Sequence, residues 1–181
     1  PMSHDNPPRI HWHRLIGKLL ELTLVPVQVE VLVEFNVLSE PPRIDVLLIR
    51  RLTDTWTSEQ LAYLPDGVRD TSAQHILLEF KVTESLSKKA LAKTLAYDTF
   101  YKEHHRLSGQ EVQTFLICAI QPQKKKLARY GYMPTATVGL YQSRNSMLEQ
   151  VSLLVLNELT DTPHNAYIKL FASREAEREK A

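Results

Sequence analysis

The chain has 181 residues, yet only one cysteine, five glycines and no long apolar run. A lone Cys118 builds neither a disulfide framework nor a cysteine-based zinc site, which fits a reducing, cytoplasmic setting. It lies in Thr114-Phe115-Leu116-Ile117-Cys118-Ala119-Ile120 and reads as a small buried hydrophobe. So few glycines, none in a glycine-rich loop after an early strand, argue against a dinucleotide-binding domain. No apolar run reaches the ~18 residues of a membrane span, and the opening lacks the basic-then-apolar order of a signal peptide, so no membrane partner is expected. Charge of one sign is missing too. With 22 Lys and Arg against 21 Asp and Glu the net charge is +1, so any attraction to nucleic acid must come from local patches. No Gly-X-Ser-X-Gly elbow supports a serine hydrolase. The pairs His11/His13 and His104/His105 lack HExxH-like spacing and cysteine partners, which disfavours zinc chemistry.

What is present is patterned apolar sequence. Residues 11–22 read as a short helix with Trp12, Leu15, Ile16 and Leu19 along one side. Residues 25–38 alternate as a long half-buried strand, and Ser39-Glu40-Pro41-Pro42 supplies a turn into a second strand over 43–51. A polar stretch over 53–73 follows, with a helical turn near 58–63 and the turn signal Pro65-Asp66-Gly67. A third strand covers 75–82. Residues 85–107 form the clearest helix, without interior Gly or Pro and with two apolar stripes, one through Leu86, Ala90, Tyr97 and Tyr101, the other through Leu91 and Leu95. Residues 112–120 are almost continuously apolar, the pattern of a central strand covered on both faces, reached by a parallel crossover. A short basic helix is expected at 123–130, a strand at 135–141, a last strand at 151–156 in competition with a helix over 146–158, and a helix at 164–172. The expected architecture is an α/β sandwich around a mixed sheet, in one domain over 10–172, with a disordered start at 1–9 and a charged helical tail at 173–181.

Polar residues on oily strands carry the chemistry. In Ile76-Leu77-Leu78-Glu79-Phe80-Lys81-Val82 the acid and the base share one face, while Ile76, Leu78, Phe80 and Val82 take the other. Desolvating both charges is costly unless something pairs with them. A second acid, Asp45, lies 34 positions earlier in Arg43-Ile44-Asp45-Val46-Leu47-Leu48-Ile49. Two carboxylates and a lysine on neighbouring strands suit a magnesium-dependent phosphodiesterase. They equally suit a structural ion-pair network between strands.

With Asp45, Glu79-Phe80-Lys81, the long helix and the apolar strand after it, the chain resembles the PD-(D/E)XK nuclease superfamily over about residues 25–120. Restriction-endonuclease-like enzymes are its familiar members, and the likeness is greatest to an uncharacterised prokaryotic branch related to transposase-associated nucleases. The resemblance implies an α-β-β-β-α-β core with C-terminal additions and hydrolysis of DNA phosphodiesters. It also implies Mg2+, with Mn2+ as a substitute, held by Asp45, Glu79 and the backbone carbonyl of Phe80, and Lys81 as the catalytic base-side residue. Asp66, 13 positions before Glu79, is the fallback ligand and fits the family's name literally, with Asp70 behind it. Asp66 precedes a glycine, however, where aspartate has ordinary turn chemistry. The first-helix acid of many members has no clear counterpart, since Glu21 falls opposite the apolar stripe and Glu34 has an exposed-strand reading.

On the long helix Lys89, Lys93 and Tyr97 share one face, with Lys93 nominated as the catalytic helper and Lys89 for nucleic acid. Lys124, Lys125, Lys126 and Arg129 are further candidates for the DNA backbone, against the plain reading of a solvated basic face. A homodimer would suit paired cuts across a duplex. The competing expectation is a catalytically inactive module of the same fold that binds DNA or protein.

Overall fold

The protein is seen in a computed structural model, which describes residues 12–33, 46–81 and 86–170. Helix α1 (Trp12–Leu24) leads through a 3-10 turn (Val25–Val27) into strand β1 (Val29–Val33). Then come β2 (Val46–Arg51), the short α2 (Ser58–Leu61), β3 (His75–Lys81), α3 (Lys88–His105), β4 (Val112–Cys118), α4 (Lys124–Arg129), β5 (Tyr132–Pro134), β6 (Leu140–Ser143) and β7 (Val151–Val155). All seven strands form one sheet in the order β1-β2-β3-β4-β7-β6-β5. The β1-β2-β3 meander is antiparallel, β3-β4 and β4-β7 are parallel, and β6 and β5 complete the sheet antiparallel. The expected α/β sandwich around a mixed sheet is therefore observed. The helix, three strands, helix, strand order is present as well, and no helix among the described residues is long and apolar enough to cross a membrane.

Alternation splits the sheet into two faces. Ile76 and Leu78 of β3 join Leu47, Ile49, Phe115, Ile117 and Leu154 under α1, which contributes Ile16, Leu20 and Leu24. Leu77 projects the other way, with Val46, Leu48, Tyr97 and Tyr101, and α3 covers that side. Near its start α3 instead meets Leu116, Cys118, Leu153 and Val155 through Leu86, Ala90 and Leu91. The first stripe read along this helix is divided between the clusters: Leu86 and Ala90 join Leu91 and Leu95 of the second stripe in one, and Tyr97 and Tyr101 enter the other. On α1 the stripe is rotated from the expectation: Leu15 is exposed and Leu20 buried, because Ile16, Leu20 and Leu24 at helical spacing make the contact.

Other boundaries moved for local reasons. The first strand starts at Val29, not at residue 25, because Pro26 sits in the 3-10 turn and Gln28 closes it in the left-handed region (φ 63°). Most of the strand expected at 135–141 is a loop: β5 ends at Pro134 and β6 begins at Leu140, so only its last two residues are strand. The 151–156 ambiguity resolves to strand, since Val151–Val155 is buried throughout beside β4. The helix expected at 164–172 opens as a 3-10 turn (Pro163–Asn165), with helical residues 166–170. The expectations for residues 1–9 and 173–181, and the turn at 39–42, lie outside the described residues.

Gly139 has φ +87°, and a Cβ there would lie 3.0 Å from the Val155 carbonyl oxygen and 3.0 Å from Leu159 Cδ2. Val155 also donates its amide to Gly139 at 2.8 Å, so the backbone cannot retreat without losing that bond. Gly139→Ala is expected to cost about 2–4 kcal/mol, combining left-handed strain with overpacking. Chemical denaturation of the variant beside Gly109→Ala checks this, because a Cβ at Gly109 meets nothing within 4 Å.

Candidate active site

Glu79 and Lys81 end strand β3 on its α3 face. Glu79 is 1% exposed, and its Oε1 lies 3.3 Å from Lys81 Nζ. The lysine side chain keeps 20% of its surface exposed, so its ammonium links a buried carboxylate to solvent. Backbone pairing fixes the acid between β2 and β4: Glu79 lies opposite Val46 on one side and Leu116 on the other. The same rung continues through Leu153 to Tyr141. A charged pair at this depth costs desolvation free energy that a hydrophobic pair of similar volume would avoid.

Helix α3 runs over this end of the sheet. Its Tyr97 packs with Val46 and Leu77, the neighbours of Glu79, and Lys93 holds its ammonium 5.6 Å from the Tyr97 ring centroid. Lys93 thus lies one turn before Tyr97 on the same helix, beside a ring that packs under the β2–β3 pair. Lys89 is exposed one turn earlier. Cys118 pairs with Lys81 in the sheet. Burial pushes its thiol up to about 12, against the pull of Lys81, so it is no thiolate nucleophile at neutral pH.

Asp45 itself lies outside the described residues, as does Glu34; the described strand begins at Val46, the residue directly across from Glu79. Asp66 is placed, and it has a different job. Its carboxylate accepts from Asn165 Nδ2 at 2.8 Å and lies 2.7 Å from His164 Nε2, while its amide donates to Asn165 Oδ1 at 2.9 Å. The adjoining Gly67 (φ +84°) approaches Phe115 and Leu154, which belong to the α1 face. Asp66 thus clamps the turn to the C-terminal segment on the side of the sheet opposite Glu79, and the geometry does not bring the two carboxylates together. Asp70 accepts from the Gly67 amide within the same turn. Among the described residues no group of three or more His, Cys, Asp or Glu could hold a metal ion. The donors described at the β3 end are the Glu79 carboxylate and the Phe80 carbonyl. The second carboxylate that the resemblance implies, Asp45, lies outside the described residues.

The Asp66 clamp gives a pH-dependent prediction. Burial pushes this carboxyl up, but hydrogen bonds from Asn165 and His164 and the His164 charge outweigh burial and hold it below its ordinary value. A folded-state pKa below the unfolded one means stabilisation above about pH 4, lost as pH falls through the depressed value. Wild type should melt above Asp66→Asn near neutrality, with the gap closing in acid. Melting both proteins from pH 7 down to 3 checks this.

Two features escaped the sequence reading. Asp98, in the middle of α3, is fully buried, with Thr114 Oγ1 at 2.7 Å and Lys102 Nζ at 2.7 Å. Its signal was available: an acid between Tyr97 and Tyr101 on a buried helix face, four residues before a lysine. The second is a polar group at the far end of the Glu79 rung, where Tyr141 donates to Glu158 (2.8 Å) and accepts from Gln121 Nε2 at 3.3 Å. Burial, reinforced by Glu158, raises the Tyr141 hydroxyl above its ordinary pKa.

The basic residues beyond β4 are gathered rather than scattered. Lys124, Lys125 and Arg129 are exposed on α4, Lys126 is partly buried, and Leu127 anchors the helix among Leu86, Leu91 and Cys118. Comparison with known proteins gives no match to any family model, curated protein or solved structure.

Proposed function

We propose that the chain is a metal-dependent DNA endonuclease of the PD-(D/E)XK type, with Asp45 and Glu79 as metal ligands and Lys81 as the base-side residue. The observation that carries the reading is the Glu79–Lys81 pair on one face of a β-strand end, 3.3 Å apart. The α-β-β-β-α-β order implied by the resemblance supports it. When bound, magnesium would supply positive charge to the phosphate and make a nearby water more acidic. The chain's own part is positional. Glu79 offers carboxylate oxygens from a backbone fixed on both sides by strand pairing. Lys81 would orient the attacking water and steady charge developing on the phosphate oxygens. Lys93, on the helix above, adds a second cation to the same end.

One observation favours a second reading, a nuclease-fold module without catalysis: Lys81 already neutralises Glu79 directly, as a structural ion pair would. Incubating the full chain and supercoiled plasmid with magnesium, with manganese or with chelator separates the two. The proposal expects nicked or linear product in the metal arms alone. Intact plasmid in every arm would overturn it.

A further inference from the structure

Charge on this molecule nearly cancels overall, yet it is segregated beside the β4 exit. Segments 86–93 and 119–130 contain no acid, but carry Lys88, Lys89, Lys93, Lys124, Lys125, Lys126 and Arg129. Packing joins them, because Leu127 of α4 belongs to the cluster that includes Leu86, just before α3, and Leu91 of α3. Arg144 extends the ridge: its amide donates to the Gly131 carbonyl at 2.9 Å, just past the end of α4. Only Leu127 of the six α4 residues is buried, so this helix lies on the surface.

From this we infer that α4, with the first turn of α3 and Arg144, is a docking ridge for the phosphate backbone of a DNA duplex. The inference rests on the proposed activity for its biological sense but not for its physics. Six exposed cations (Lys88, Lys89, Lys124, Lys125, Arg129, Arg144) with no acid in the two joined segments complement a polyanion of regular charge spacing. An anionic membrane is a poorer fit, since interfacial helices bury an apolar face and the apolar side chain of α4, Leu127, already faces the core. Single strands are a poorer fit as well. Their binding relies on exposed aromatic platforms, whereas Tyr132 is buried and Tyr130 lies under Arg129, with the guanidinium 5.7 Å from its ring. The regular phosphate spacing of B-form DNA suits such a surface of exposed cations, and the groove geometry of A-form RNA sets its phosphates differently. The contacts are to phosphates, so the ridge positions a duplex without reading its sequence.

The test is fluorescence anisotropy in chelator, with a labelled mixed-sequence DNA duplex of about two helical turns. Over roughly 50–200 mM salt, six phosphate contacts give a slope of log affinity against log salt near about −5. Combining Lys124→Ala, Lys125→Ala and Arg129→Ala should shrink that slope by about 2–3 and weaken binding about tenfold or more. Lys18→Ala, on the exposed side of α1, should change neither. The inference falls if the triple variant binds like wild type, or if single-stranded DNA, duplex RNA or anionic vesicles bind more tightly than the duplex. Loss of binding in the triple variant from a wild type that never cleaves leaves the ridge standing while the catalytic proposal fails. Cleavage with unaltered binding in the triple variant does the reverse.

Discussion

Lys81→Ala is expected to lower kcat for magnesium-dependent plasmid cleavage about 10²–10³-fold, the loss of about 3–4 kcal/mol of transition-state stabilisation. The reasoning follows from where the ammonium sits. It is 3.3 Å from Glu79 and still partly exposed, so it can meet both a carboxylate ligand and an incoming phosphate. Its charge is needed most when negative charge builds on the phosphate, so the loss should appear in kcat with KM little changed. Glu79→Ala should behave differently, losing manganese binding by calorimetry along with activity, because the proposed mechanism makes that carboxylate a metal ligand. Asp45→Ala should resemble Glu79→Ala. Lys81→Arg tests geometry, since a planar guanidinium keeps the charge but cannot occupy the same point. Cleavage by Lys81→Ala at the wild-type rate would remove the lysine from the mechanism.

A stability effect as large as that at Gly139 is expected at Asp98. Asp98→Ala leaves the Thr114 hydroxyl buried without its acceptor and the Lys102 ammonium beside an empty space, at 15% exposure. About 3 kcal/mol is a reasonable cost, because Lys102 can swing outward whereas Thr114 cannot. For a chain of this size that is a melting shift of about 6–12 °C. Asp98→Asn should cost less, since an amide oxygen still accepts from Thr114. Adding Thr114→Val to Asp98→Ala should recover part of the loss, because removing both partners leaves no orphaned hydroxyl. A double variant no more stable than Asp98→Ala would place the cost in the lost Lys102 charge pair instead.

The Asp98 network also shows where sequence reading stopped. Glu79 and Lys81 stood out because a strand exposes its logic every second residue: two charges on one face of an oily run demand an explanation. Asp98 sits in a helix among polar neighbours, and its burial comes from Thr114, a partner 16 residues away. Asp66 illustrates the opposite error. Its spacing to Glu79 fitted a ligand pair, but the turn chemistry of Pro65-Asp66-Gly67 prevailed. Asn165 and His164, which hold it on the far face, lie almost 100 residues on in the sequence. Leu15 and Leu20 exchanged places for a related reason, since a helical stripe about 100° wide leaves its edges to be chosen by the neighbour.

By itself the sequence determined the class of fold, the hairpin-then-crossover order around β3, the pairing of Glu79 with Lys81 on one face, and the basic character of α4. These follow from local periodicity, which each segment carries without help. The tertiary structure decided which strand lies beside which, and so set Glu79 across from Val46 and Leu116. It also sent Asp66 to the opposite face, buried Asp98 against Thr114, and packed α4 through Leu127 into the cluster at the start of α3. Those outcomes depend on contacts between residues far apart in the chain, where burial and charge are shared and no single segment holds the information.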